Sequence, residues 1–243
     1  MTEAGGEFVA RHPYFGFGKT EKETLKERMV ASLRREIAPL RFNLAASAII
    51  KETDIKPGDN VLELGCGVGL LGEAIKRKVN GSEVNYFGID LNFDPALKQS
   101  QERGLAVIQA DAVKLPFSDE AVDRIVSNDV FEHVDDAKSL AKEVSRVLKK
   151  GGKAFIVIAD PSEGRFGFVQ SHINRTGSGK DVQYWTDLFE EEGLTVLPSS
   201  EKYRKRDWRK IFSLPILRKI KDKPFFSCCF DIVSRPGVFI LSK

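Results

Sequence analysis

The 243-residue chain has few cysteines, few histidines and no long uncharged apolar run. Its three cysteines are Cys66, which stands alone, and the adjacent Cys228 and Cys229. An odd count with no CxxC spacing argues against a disulfide framework and against a cysteine-built zinc site. The three histidines, His12, His133 and His172, are scattered, and none stands at ligand spacing from another ligand type. No protein-bound metal is therefore expected. No apolar stretch approaches the roughly 18 residues that a membrane-spanning helix needs. The opening MTEAGGEFVARHPYFGFG lacks the apolar core of a signal peptide, so a cytoplasmic protein is the default expectation. Internal repeats and low-complexity tracts are also missing.

What is present is ordinary in composition and uneven in charge. Hydrophobic residues make up 42% and charged residues 30%, as expected of one globular α/β domain of this length. The net charge is +3, but Lys202 to Lys223 holds ten Lys or Arg residues against Asp207 and Asp222, which is +8, so the remainder sums to −5. Within that segment Trp208, Ile211 and Phe212, then Ile216, Leu217 and Ile220, recur at helical spacing. Three readings fit: a solvated helix packed on the core, a peripheral contact with anionic lipid, or a flap that attracts an anionic or amphiphilic substrate. RNA is the weakest partner, because no recognisable RNA module accompanies the charge, and nucleic acid is not expected.

Along the chain, an N-terminal arm at 1–52 carries helical patterns at 21–35 and 40–52. A strand–helix rhythm then begins. Strands are expected at 60–64, 84–90, 105–110, 122–127 and 153–159. Helices are expected from the Gly-rich bend to Lys78, over 95–103 and over 136–149, with Asp135 as cap and Lys150-Gly151-Gly152 as the following turn. A further helix is expected over 184–192, stopped by Gly193, and further strands at 194–199 and 237–242. Alternation of this kind predicts an open, doubly wound, mostly parallel sheet. The predicted organisation is a single domain over 1–243. Its core is 57–160, and 161–236 is an acceptor-side loop with a basic helical insertion before the last strand.

Glu63-Leu64-Gly65-Cys66-Gly67-Val68-Gly69 lies where a buried strand turns into a helix. Glycine suits such a bend because the turn is tight and a ligand must approach the backbone, while the helix start offers free N–H groups. Gly67 to Gly72 also satisfies GxGxxG, so a dinucleotide reading stays open. Asp90 ends the second strand, where a carboxylate can accept from both hydroxyls of a ribose. Asp111 follows the third strand and can accept from an exocyclic amine of adenine. Glu63, Asp90 and Asp111 thus end three successive strands beside one bend. They suit a ligand with hydroxyls, an amine and a cationic centre better than a pyrophosphate, which they would repel.

At this point the sequence resembles the class I S-adenosylmethionine-dependent methyltransferases, especially the broad small-molecule group. The blocks that carry the resemblance are VLELGCGVGLLGEAI, FGIDLN, IQADAVKLPFSDEAVDRIVSNDVFEHVDD and RVLKKGGKAFIVI, in order over roughly 57–160. The resemblance implies a seven-stranded Rossmann-like sheet with an antiparallel last strand. It implies that Glu63 holds the loop and reaches the methionine amino group through water, and that Gly65, Cys66, Gly67 and Gly69 let the amino-acid portion lie on the backbone. Asp90 would bind the ribose, Leu91 would pack on adenine, and Asp111 and the Ala112 N–H would read the adenine edge. The Asn128 carbonyl would meet the methionine end. The spacing from Gly65 to Asp90 is slightly generous, which points to a longer loop around Asn80-Gly81-Ser82.

The sulfonium methyl implied by the resemblance is already activated, so the protein must align a nucleophile, exclude water and, for some acceptors, take a proton. His133 and Asp129 are the candidate bases, with Glu132 beside them, because they follow the fourth strand; a packing role at the start of the next helix is the alternative for His133. Asn128-Asp129-Val130-Phe131 differs from the Asn-Pro-Pro-aromatic block of methylases that act on base amines. Tyr14, Phe15, Phe17, Tyr184 and Trp185 are candidates to line the acceptor side, with plain aromatic packing preferred for the last two. The function expected is methyl transfer to O, N or C of a small metabolite. The alternatives are an RNA or protein methyltransferase or, from other classes, an NAD-linked oxidoreductase or a non-catalytic nucleotide-binding module.

Overall fold

The computed structural model describes residues 39, 42–79, 84–91, 95–158, 181–198 and 238–243. The sequence readings at 1–38, in the loop after 158 and across the basic segment 202–223 lie outside the described residues. The elements in chain order are α1 (42–53), β1 (Asn60–Leu64), α2 (Leu70–Lys78), β2 (Asn85–Asp90), α3 (Pro95–Glu102), β3 (Ala106–Gln109), β4 (Val122–Asn128), a 3₁₀ turn (Phe131–His133), α4 (Ala137–Val147), β5 (Leu148–Val157), α5 (Val182–Glu191), β6 (Thr195–Leu197) and β7 (Val238–Ser242). Among the described residues no helix is long and apolar enough to cross a membrane.

One seven-stranded sheet runs β3-β2-β1-β4-β5-β7-β6. β3 to β5 pair in parallel, whereas β7 runs antiparallel to both β5 and β6. The last strand is antiparallel as expected, and it lies between β5 and β6. Chain direction along the sheet reverses between β1 and β4. β2 and β3 build outward on one side and β4 and β5 on the other, which opens a crevice above the carboxyl ends of the central strands.

Strand alternation divides the core into two layers. Leu62 and Leu64 of β1 and Ala154 and Ile156 of β5 face a cluster completed by α4 and α5. Val61, Phe155 and Val157 face the opposite cluster, built with Ala45, Ala46 and Ile49 of α1 and Leu71, Ala74 and Ile75 of α2. Both faces of β1 are covered, so Val61, Leu62 and Leu64 are all apolar without alternation, and Glu63 is the one buried polar residue of the strand. α4 buries Ala137, Leu140, Ala141, Val144 and Val147, the i, i+3, i+4 stripe of a helix lying on a sheet.

Two local expectations are corrected. The cap of α4 is Asp136, whose carboxylate accepts from the Ser139 N–H at 2.9 Å, and not Asp135. Helix α4 also stops at Val147, with β5 following at once. Leu148 pairs with Val122 across a bulge, and Gly151 takes φ 74°, so the glycines expected as a turn lie within the strand. The stop after α5 is as expected: Gly193 has φ 77°.

Candidate active site at the strand tips

The tips of β3, β2, β1 and β4 line up along the edge that the reversal opens. Short backbone bonds extend each pairing by a residue. The Ala110 N–H donates to the Asp90 carbonyl, Cys66 N–H to Ile89 and Asp129 N–H to Val157, each at 2.9 Å. The strand ends are therefore held in place before any side chain is considered.

The bend after β1 is built on left-handed backbone, with φ of 69° at Gly65 and 48° at Gly67. A Cβ on Gly65 would stand 2.5 Å from Val130 Cγ2, so glycine is required there by conformation and by contact with the tip of β4. At Gly67 a Cβ would meet nothing within 4 Å, which marks open space above the bend. The Gly67 N–H donates to Asp90 Oδ2 at 2.9 Å, and its carbonyl accepts from the buried Ser100 hydroxyl at 2.9 Å. The bend is thus tied to β2 and to α3.

Glu63 does not sit as the sequence suggested. It is one residue short of the end of β1, only 4% exposed, and lies beneath the bend rather than beside Asp90 and Asp111 on the edge. The Tyr86 hydroxyl donates to Glu63 Oε2 at 2.5 Å, and the Gly72 N–H also bonds to the carboxylate. Burial pushes the Glu63 carboxyl up to about 8; the Asp90 charge pushes the same way, and the Tyr86 and Gly72 bonds oppose it. Burial also raises the Tyr86 phenol well above its ordinary value. Gly72 makes the arrangement possible, because a Cβ there would lie 2.2 Å from Tyr86 Cζ. Cys66 is 5% exposed, with its Sγ directed at Gly88, and burial pushes its thiol far up. The thiol thus points into the core, and the backbone of Cys66 borders the bend.

On the other side of β2, Leu91 is 62% exposed at the tip, its carbonyl accepting from Gln109 Nε2. Asp111 is exposed, and its Oδ1 accepts from the Val113 N–H at 3.1 Å in a tight turn through half-buried Ala112. Asp90 and Leu91 at the end of β2 therefore neighbour Asp111 and Ala112 beyond the end of its paired strand β3. At the end of β4, Asn128 Nδ2 donates to Asp129 Oδ2 at 3.1 Å, and Asn128 Oδ1 is buried with no hydrogen-bond partner among the described residues. Asp129 holds φ 57°, an uncommon conformation for a residue with a side chain. His133 is exposed at the end of the 3₁₀ turn, and Glu132 before it is buried. Trp185 is a core residue, edge-on to Phe131 with ring centroids 6.1 Å apart, whereas Tyr184 is exposed beside it.

Sequence reasoning missed Tyr86, Ser100 and Val130, the three side chains that hold the bend from β2, α3 and β4. Their periodicity reads as ordinary packing. One signal was available: the last glycine of GxGxxG, Gly72, marks a helix pressed against a neighbouring strand, which is where Tyr86 passes.

Residues 62–156 match the family described as Methyltransferase domain. The chain is 35% identical over 114 residues to a demethylmenaquinone methyltransferase of Lactobacillus johnsonii, covering 44% of this chain and 46% of that protein. It is 31% identical over 116 residues to methyltransferase GfsG of Streptomyces halstedii, covering 46% and 41%. The chain thus matches less than half the length of either relative. The fold is that of a SAM-dependent methyltransferase from Aquifex aeolicus, with a TM-score of 0.55 and 21% identity over 70% of this chain and 90% of that one. The glycine bend, the Asp90 tip and the Asp111 turn all fall inside residues 62–156, the part of the chain that is similar to the methyltransferase domain family.

Proposed function

We propose that this chain moves the methyl group of S-adenosylmethionine to O, N or C of a small metabolite, with the whole of 1–243 as one domain. The observation that carries the reading is the Gly67 bend, open above its backbone and bordered by Asp90, with Leu91 and Asp111 on the next strand tips. These residues fit the group. Two carboxylates suit hydroxyls and an amine, an exposed apolar side chain suits a purine face, and open space above a left-handed glycine admits an amino-acid tail.

In this reading Asp90 accepts from the ribose hydroxyls and Leu91 packs on the adenine. Asp111 accepts from the exocyclic amine while the Ala112 N–H donates to the ring. Gly65, Cys66, Gly67 and Gly69 supply backbone to the amino-acid portion, and the Asn128 carbonyl meets its amino group. Glu63 acts from below, holding the bend through Gly72. When bound, the cofactor supplies a methyl already activated on a sulfonium. The protein then has to orient the acceptor and, where the acceptor carries a proton, receive it. Asp129 and His133 are the candidates. The left-handed backbone of Asp129 at the tip of β4 favours Asp129, since such strain tends to persist where function needs it. An anionic or amphiphilic acceptor is the substrate class we favour. The +8 charge of 202–223 supports it, as does a relative named for demethylmenaquinone.

Calorimetry with S-adenosylhomocysteine and with NADH tests the reading. The protein should bind the first and not the second. Asp90→Ala removes charge-assisted hydrogen bonds of about 1.5–3 kcal/mol, so affinity should fall roughly tenfold or more. Binding of NADH without S-adenosylhomocysteine would overturn the proposal, and unchanged affinity in the variant would remove Asp90 from the ribose.

A further inference from the structure

Arg146, near the end of α4, lies in the RVLKK block and has no part in the site described so far. Its side chain is nonetheless fully engaged, with Glu143 on its own helix and with the segment that follows β3. Nη1 donates to the Phe117 carbonyl and to Asp119 Oδ1, both at 2.8 Å. Nη2 donates to the Leu115 carbonyl at 3.1 Å and to Glu143 Oε2 at 2.7 Å, and Nε donates to Glu143 Oε1 at 2.7 Å. The Glu143 carboxylate, held two-pronged by Arg146, accepts in turn from the Leu115 N–H at 2.7 Å. The Arg146 carbonyl accepts from the Glu120 N–H at 3.0 Å. Four residues of one loop, Leu115, Phe117, Asp119 and Glu120, are thus bonded to a single arginine and its partner one helical turn away.

That loop has no regular backbone ladder to fix it. β3 has four residues and three of them are exposed. Between Asp111 and Ala121 there is no regular helix or strand. Leu115 is buried in the core, Ala112, Val113 and Phe117 pack against the same cluster, and Phe117 lies edge-on to Phe87 with centroids 5.9 Å apart, which gives the loop its apolar anchors. Carbonyl oxygens and an N–H near those anchors need partners when water is excluded, and Arg146 with Glu143 supplies them. The pair is strongly coupled: the Glu143 carboxyl is held below its usual range by Arg146, and the arginine is raised by Glu143 and Asp119. A planar guanidinium is the side chain that can bond several acceptors in fixed directions, and lysine cannot reproduce that fork.

Asp111 and Ala112 stand at the start of this loop, and the Asp111 carbonyl accepts from the Lys114 N–H at 3.0 Å next to the clamped Leu115. We infer that Arg146, through Glu143 and the carbonyls of Leu115 and Phe117, is a positioning residue that sets the Asp111–Ala112 turn against the adenine end of the cofactor. The inference rests on the cofactor reading of Asp111 given above. Arg146 touches no ligand; it fixes the height and orientation of the turn that does.

The test is a binding cycle on the full chain with S-adenosylhomocysteine as probe. Arg146→Lys, Asp111→Asn and the double variant are titrated beside the unaltered protein, and amide hydrogen exchange is followed over 111–120. Arg146→Lys should weaken binding about tenfold, within the range for residues that bias a ligand site without contact. Amides at 111–116 should exchange faster in that variant while those of β1 and β4 hold their protection. Because the arginine acts through the turn, the loss in the double variant should be less than the product of the two single losses. In an Asp90→Ala background the Arg146→Lys loss should instead multiply fully. Equal affinity in Arg146→Lys, or full multiplication with Asp111→Asn, would overturn the inference. If Arg146→Lys fails to fold, Glu143→Gln weakens the same clamp while keeping its shape, and it must show the same sub-multiplicative pattern. Failure of the underlying cofactor reading looks different, because the unaltered protein would then not bind S-adenosylhomocysteine at all.

Discussion

Replacing Glu63 by glutamine isolates the free energy of holding a carboxyl under the bend. In the unfolded chain Glu63 ionises near its ordinary value of 4.5, while in the fold burial pushes it up to about 8. Between those two values the folded state keeps a proton that the unfolded state has lost. Stability contributed at this position therefore falls as pH rises from about 4.5 to about 8 and is level on either side. Three and a half pH units at about 1.4 kcal/mol each give a ceiling of about 5 kcal/mol, reached near pH 8 and comparable to the whole stability of a small domain. Water reaching the carboxylate would lower that figure. Glutamine keeps the shape and can still accept from Tyr86, but it has no proton to lose. The difference in unfolding free energy between Glu63→Gln and the unaltered protein should be near zero at pH 4.5 and should grow in favour of the variant up to pH 8. Urea unfolding at pH 5, 6, 7, 8 and 9 would measure it, with the buried Trp185 as a fluorescence reporter. Other carboxylates titrate alike in both proteins and cancel in the difference. A difference that stays level with pH, or that favours the unaltered protein as pH rises, would refute the desolvated carboxyl.

Tyr86→Phe removes the hydroxyl that lowers the Glu63 value, so in the same series the upper end of the pH-dependent region should move above 8; an unmoved end would show that the hydroxyl does not reach Glu63 in solution. Gly65→Ala places a Cβ against Val130 on a left-handed backbone, and should destabilise by at least the roughly 1–2 kcal/mol of that conformation. Adding Val130→Ala should recover the part due to the clash and leave the backbone part, as thermal unfolding would show; no recovery would mean that the strain lies elsewhere. S-adenosylhomocysteine brings an ammonium toward the bend and should draw the Glu63 value down, so calorimetry at pH 7.5 in two buffers of unlike ionisation enthalpy should show release of a fraction of a proton, and no difference between the buffers would refute the coupling.

Most of the parallel core was legible because its signals are local. Each of the first five strands is a short apolar run after a turn residue, and α4 carries its cap and its stripe within one segment. Errors arose where a distant partner decided the outcome. Gly151 and Gly152 look like a turn until Leu148 finds Val122, which draws the glycines into the strand. The place of β7 between β5 and β6, which the sequence left open, depends on two strands with which it shares no neighbouring sequence. In the site, Asp90, Leu91 and Asp111 were legible because a strand tip is defined by the strand that precedes it. The surroundings of Glu63 were not legible, because a position near a tip says nothing of what lies beneath it. Its surroundings come from Tyr86, 23 residues away, and from the missing side chain of Gly72.

The support of the bend explains why a site at the strand tips needs more than the tips themselves. The bend has an apolar or neutral partner on three sides: Val130, just past β4, against Gly65, Ser100 from α3 on the Gly67 carbonyl, and Tyr86 from β2 under Glu63. Each partner occupies space that a larger residue at a glycine would claim, so the glycines serve the support at least as much as the ligand. The same logic holds at the far end, where Arg146 and Glu143 hold the turn after β3 in place of regular structure. Both ends of the proposed cofactor site are therefore fixed from behind by residues that do not face it. A substitution there alters geometry without altering the chemistry of any contact residue. Losses at Tyr86 and at Arg146 should accordingly fall on different ends of the cofactor and multiply with each other, whereas Arg146 and Asp111, acting on one turn, should not.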